Sequence, residues 1–128
     1  MEPRFLDLAE VLEVHRDQIE RYGGAEGIRD LGLLQSSVAM PQAGMGGVYL
    51  HGDLYEMAAA YLYHLVCNHP LVDGNKRTGT AAALVFLELN GVRLEVDADE
   101  LAEMVEAVAA GRVAKTAVTE FLRAHGGG

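Results

Sequence analysis

Apolar residues recur with a helical rhythm along almost the whole chain. From Leu54 to Cys67, the positions Leu54, Met57, Ala58, Tyr61, Leu62, Leu65 and Val66 keep the three-and-four spacing of a buried helix face. Pro70 ends that run, because it has no N–H and pushes His69 out of helical geometry. A second helix is predicted from Asn75 to about Asn90, with Gly91 as its stop signal. Its middle, Ala81 to Leu89, is apolar nearly all round apart from Glu88, which marks it as the central helix of the domain.

The same rhythm predicts a helix over Phe5 to Tyr22, with Phe5, Leu8, Leu12, His15 and Ile19 inward and Gly23-Gly24 closing it. His15 reads as a core or seam histidine rather than a ligand. Asp30 can cap a helix holding Leu31, Leu34 and Val38, with Pro41 just past its end. Asp97 to Ala110 places Leu101, Met104, Val105 and Val108 inward, and Lys115 to about Ala124 packs Val118, Phe121 and Leu122. Two stretches break the pattern. Pro41 to Asp53 is rich in glycine around Val48-Tyr49-Leu50, which fits a small hairpin or a surface loop with His51 facing solvent, and Asp53 then caps the next helix. Val92 to Val96 alternates like an extended segment but has no obvious partner. The expected fold is all-α, an orthogonal bundle of about six helices with a short glycine-rich flap or hairpin. It forms a single domain over residues 1–128, with 126–128 as a disordered tail.

Half of the residues are hydrophobic and only 6% are aromatic, so the core must be built from Ala, Leu, Val and Met. No apolar run is long enough to span a membrane and no basic, apolar, cleavable start is evident, from which a cytoplasmic protein is expected. The formal charge of −9 argues against general nucleic-acid binding, which needs phosphate neutralisation. The single cysteine, Cys67, cannot form an internal disulfide, and its place on an apolar run reads as burial rather than as a nucleophile.

Chemistry concentrates in His69-Pro70-Leu71-Val72-Asp73-Gly74-Asn75-Lys76-Arg77-Thr78, between the two best-defined helices. The start of the second helix suits an anion: its first N–H groups lack internal partners, the dipole leaves them partly positive, and Gly74 lets a phosphate approach. Lys76 and Arg77 add full charges. Asp73, a lone carboxylate among these groups, is a natural Mg²⁺ ligand shared with phosphate oxygens and water, although it could instead cap the helix. Asn75 reads as a turn-ordering residue that also offers an amide to a phosphate, or as a simple cap. His69 is read as a general base, imidazole being the side chain suited to proton transfer near neutral pH, the alternative being a hydrogen bond to a carbonyl of the turn. His64 lies one turn below this loop and is a candidate to bond it. Base, metal carboxylate and phosphate cradle suffice to transfer a phosphate-containing group to a hydroxyl.

The ten-residue stretch resembles the signature of the Fic/Doc superfamily, H-x-F-x-(D/E)-(G/A)-N-(G/K)-R, and Lys after Asn is the version typical of the Doc (death-on-curing) toxins. Arg21-Tyr22-Gly23-Gly24, Leu31-Gly32-Leu33-Leu34 with Pro41-Gln42, Asp53-Leu54-Tyr55-Glu56 and Leu87-Glu88-Leu89-Asn90-Gly91 extend the likeness over roughly residues 10 to 124. Leu71 stands in place of the pattern's Phe, one apolar plug for another. The resemblance implies catalytic roles for His69, Asp73, Lys76 and Arg77, nucleotide binding by Gly74, Asn75, Lys76 and Arg77, and a metal on Asp73. ATP and Mg²⁺ are the implied cofactors. Adenylylating members carry Gly at the Lys76 position and a second Arg where Thr80 stands, so this chain resembles instead the toxins that transfer a γ-phosphoryl group. The implied target is a protein hydroxyl, with translation elongation factor Tu as the candidate, and the implied regulator is an antitoxin protein in trans. The glycine-rich stretch corresponds to a flap that lines the target segment by strand pairing. Thr116 to Glu120 matches only part of the inhibitory pattern (S/T)-x-x-x-E-(G/N), since Phe121 follows, so control is expected from another chain. Adenylyl transfer and a catalytically inactive Fic-fold binding module are the alternative readings.

Overall fold

The structure is a computed structural model and describes residues 2–127. Among them six helices form, α1 (Leu8–Tyr22), α2 (Leu31–Ala39), α3 (Leu54–Asn68), α4 (Asn75–Leu89), α5 (Ala98–Ala109) and α6 (Lys115–His125), with a two-stranded hairpin of β1 (Gly44–Met45) and β2 (Val48–Tyr49). The all-α bundle with a glycine-rich hairpin is therefore what the sequence leads one to expect. No helix is long and apolar enough to cross a membrane among the described residues.

Local signals set most boundaries. Asp30, Asp53 and Asp97 cap α2, α3 and α5, each side chain accepting a first-turn N–H. The first helix starts later than its apolar spacing suggests, because Asp7 and Glu10 form a capping box and leave Phe5 in the extended lead-in. That lead-in is pinned to the core, where the Tyr61 hydroxyl accepts from the Leu6 N–H at 2.8 Å and donates to the Leu6 carbonyl at 3.1 Å. Phe5 then stacks on the buried Phe86.

The central helix is α3, not α4. α3 packs against α2, α4, α5, α6 and the short 3₁₀ turn Met40–Gln42, and is buried at every position from Met57 to Leu62. α4 is less enclosed because Leu84 and Leu89 on its apolar middle remain half-buried and exposed. Its close fit to α3 depends on Gly79, where a Cβ would stand 3.1 Å from Val66 Cγ2 and 3.2 Å from the Leu62 carbonyl oxygen.

The extended segment after α4 finds its partner at the far end of the chain. Leu94 bridges Gly126, the Glu95 N–H reaches the His125 carbonyl at 2.8 Å, and the Gly127 N–H reaches Arg93 at 3.1 Å. The tail expected over 126–128 is thus placed as far as Gly127, while residue 128 lies outside the described residues. Three side chains sit otherwise than their sequence context suggests. Cys67 is exposed at the end of α3, His51 is buried, and His64 points to Lys115 on α6 instead of to the loop below it.

Candidate active site

The loop between α3 and α4 is clasped by the connection between α1 and α2. Pro70 blocks continuation of α3, and His69 takes a left-handed conformation, φ 50° and ψ 51°, alone among the described non-glycine residues in having positive φ. Arg29 grips this end: its Nη2 donates to the Asn68 carbonyl at 2.9 Å and its Nε donates to that of His69. The Arg29 and Asp30 N–H groups donate to the Pro70 carbonyl at 2.7 and 3.0 Å, Ile28 bridges Leu71, and the Val72 N–H donates to Gly27 at 3.0 Å. Leu71, fully buried, is the plug that anchors the loop. Arg29 carries no signal in the sequence beyond preceding the Asp30 cap.

Asn75 is buried and faces inward. Its Oδ1 accepts from the Leu71 N–H at 2.9 Å, and its Nδ2 donates to the Leu71 carbonyl at 3.0 Å and lies 3.2 Å from His69 Nδ1. Its amide therefore orders the loop and the imidazole, and does not reach outward toward a ligand. The exposed His69 is left with one ring edge against Asn75.

Asp73 is exposed, yet both its oxygens are engaged. Oδ2 accepts from the Ala25 N–H at 3.2 Å and Oδ1 from the Gly74 N–H at 2.8 Å. These two N–H groups hold its carboxyl below the usual carboxylate range, with smaller help from Arg77 and His15. Each oxygen keeps a lone pair, which fits one shared Mg²⁺ position completed by phosphate and water. No group of three His, Cys, Asp or Glu side chains that could hold a metal by themselves occurs among the described residues. The approach of Asp73 to the α1 end requires Gly24, where φ is +117° and a Cβ would stand 2.7 Å from Oδ2. His15 is buried and touches the site from below, its Nε2 lying 2.9 Å from the Asp73 carbonyl oxygen. It serves as a positioning residue for the loop, a seam role that its place on the inner face of α1 implied.

Gly74 is the N-cap of α4, at φ 77° and ψ 20°, and no side chain caps the helix. The first-turn N–H groups of α4 stay available to an anion, as the charge argument requires. Arg77 Nη2 donates to the Gly23 carbonyl at 2.9 Å and its guanidinium lies 5.5 Å from the centre of the Tyr22 ring. Lys76 extends to α5, its Nζ 2.7 Å from Glu106 Oε1. Both cations border an open cleft of about 720 Å³ between α1, α4 and α5, whose rim also carries Gln18, Tyr22 and Thr80. A cleft of this size can take a nucleotide-sized ligand. His69 is not among its lining residues, so the cation pair, not the imidazole, joins the loop to the cleft. Tyr22 and Glu106 line this cleft, which spacing alone did not reveal.

The Thr116 to Glu120 segment lies on α6, which packs on α3, and Glu120 pairs with Arg123 at 2.8 Å. Cys67 makes a long contact to the Val108 carbonyl at 3.9 Å and meets the Tyr63 hydroxyl, and desolvation, opposed by Tyr63, raises its thiol pKa, which disfavours the thiolate.

A family model described as Fic/DOC family matches residues 5–87. Toxin Doc of Mycolicibacterium smegmatis is 53% identical over 78 residues, covering 61% of this chain and 60% of that protein. Protein kinase doc of Escherichia phage P1 is 34% identical over 120 residues, covering 94% of each. The match thus spans less than two thirds of the first relative and nearly the whole of the second. With the clasped His69 to Arg77 loop lying across the matched region, the chain belongs to the Fic/DOC family.

Proposed function

We propose that this chain is a Doc-like toxin that moves the γ-phosphoryl group of ATP to a protein hydroxyl, with translation elongation factor Tu as the candidate target and an antitoxin protein as its control. The observation that carries this reading is the uncapped start of α4, flanked by Lys76 and Arg77 and reached from the other side by the His69 and Asp73 loop. When bound, the nucleotide supplies the phosphoryl group and Mg²⁺ draws charge from its oxygens. His69 takes the proton of the acceptor hydroxyl. The first N–H groups of α4, with Lys76 and Arg77, hold the phosphates and stabilise charge on the departing diphosphate. Asp73 would hold the ion, and Gly74 keeps the helix entrance clear of side chains. Glycine-rich Gly44 to Tyr49, with Met45 and Val48 exposed, offers backbone to an extended target segment.

One observation favours a second reading, adenylyl transfer. Lys76 leans to Glu106 and leaves open the place that its length would otherwise crowd. ATP labelled separately at the α and γ phosphates distinguishes the two. Label reaching the target from γ supports the kinase reading, and label from α overturns it.

A further inference from the structure

Away from the loop, the end of the hairpin, α3 and α6 bring His51, His64 and Lys115 together. Lys115 Nζ lies 3.0 Å from His51 Nε2 and 3.2 Å from His64 Nε2. An ammonium has donors only, so each imidazole faces it as a neutral acceptor. The surroundings disfavour charge on this lysine. It is the first residue of α6, where the positive end of the helix dipole repels a cation. Partial burial lowers its pKa, and Glu56 is the acidic group that opposes the shift. Burial and then Lys115 hold both imidazoles below their ordinary range, with Glu56 pulling His51 the other way, so they stay neutral acceptors and pass on any proton they receive. A nucleophile with a base in hydrogen-bond reach is the arrangement that activates amines.

We propose that Lys115 is an acylation site, its Nζ accepting an activated acyl group from an acyl phosphate or an acyl thioester with a flanking imidazole as base. The imidazole takes one proton from the ammonium at Nε2. The freed lone pair on Nζ attacks the acyl carbon, the N–C bond forms, and the C–O or C–S bond breaks with its electron pair leaving on phosphate or thiolate. The second nitrogen-bound proton passes to the other imidazole, and both imidazoles, whose pKa is lowered, release their protons to water, leaving a neutral amide with one N–H. That amide can donate to one imidazole only. His51 stands two residues beyond the end of β2, and its Nε2 contact to Lys115 ties that end to α6, so loss of the contact loosens it. Acylation therefore unlatches the hairpin from α6, whatever reaction the α3–α4 loop performs.

The chain contains one other lysine, Lys76, which serves as an internal control. The full chain is incubated with acetyl phosphate and, separately, with an acetyl thioester, and peptide mass spectrometry follows both lysines. Lys115 is expected to react on the order of a hundredfold faster than Lys76, the lower end of what a positioned base contributes. The faster of the two donors identifies the natural donor class. In the His51→Gln, His64→Gln double variant the ratio falls toward one. Equal rates at the two lysines in the unaltered chain overturn the proposal without any variant having to fold, and so does an undiminished ratio in a folded double variant. Amide exchange tests the release: residues 44–51 exchange faster after acetylation while α4 is unchanged, and unchanged exchange over 44–51 refutes the unlatching.

Discussion

Asn75 sets the ring of His69, its Nδ2 lying 3.2 Å from the imidazole Nδ1 while both ends of its amide are held by Leu71. Because the Leu71 N–H must meet the amide oxygen and the Leu71 carbonyl the amide nitrogen, the group facing the ring is a donor. Nδ1 is therefore the acceptor, and the neutral imidazole carries its proton on Nε2. Nitrogen-15 shifts of the resting protein should report the Nε2–H tautomer. Asn75→Ala should mix the tautomers and cost about 1–3 kcal/mol, since it strips buried Leu71 groups of their partner. An Nδ1–H tautomer in the unaltered chain would contradict the assignment. The base step then requires the ring to turn from Asn75 or to move its proton, so that a lone pair faces the acceptor hydroxyl.

His69→Asn is the informative test of that base. Ala at a left-handed position adds backbone strain, whereas Asn tolerates it, so the Asn variant removes the imidazole with less disturbance of the turn. Melting should be nearly unchanged and single-turnover transfer should fall by about 10² to 10⁴-fold. Retained transfer in a folded variant would exclude the role.

Gly24→Ala should push Asp73 off the Ala25 N–H, because the added Cβ meets Oδ2 at 2.7 Å. The Asp73 pKa, now held down chiefly by that N–H, should rise toward the ordinary range. A carbon-13 titration of the carboxyl reads this directly. An unmoved titration would show that Ala25 does not set the carboxylate.

Acid should loosen the junction of hairpin, α3 and α6. His64 titrates at about 4 in the folded chain, lowered first by burial and then by Lys115 and His51, against about 6.5 for a free imidazole. The unfolded chain then binds more protons between those values, so stability is fully present above the upper one and is lost as pH falls toward the lower. His51, lowered mainly by burial, acts in the same direction. The melting temperature should decline across this window, and His64→Gln should flatten the decline. An equal slope in the variant would place the loss elsewhere.

Glu106→Gln should release Lys76 from its exposed pair. Such pairs contribute only about 0.2–1 kcal/mol, so stability should hardly change. Lys76 becomes freer to meet phosphate, and the KM for ATP should fall. A KM that rises instead would show that Glu106 positions the lysine usefully.

What was legible in the chain was local chemistry. The Asp30, Asp53 and Asp97 caps, the break at Pro70, the Gly74 entrance and the buried Leu71 plug each depend on neighbours a few residues away. What escaped notice depends on distant partners. Arg29 gains its purpose only where it meets the Asn68 and His69 carbonyls, and His51 meets Lys115 only once α6 packs against α3. Apolar spacing also overstated α4, since a helix can be apolar all round in sequence and still present Leu84 to an open cleft. The same spacing assigned Cys67 to the interior, but the last turn of α3 runs past the core.

The clasp of residues 27–30 on residues 69–72 makes the His69 turn depend on two distant parts of the chain. A molecule whose first two helices have come away would keep Asn75 against Leu71 and the His69 ring but lose every bond from residues 27–30 to the turn. Such a molecule would be compact yet lack the ordered turn, so any chemistry that needs a fixed His69 waits until both halves of the chain have met.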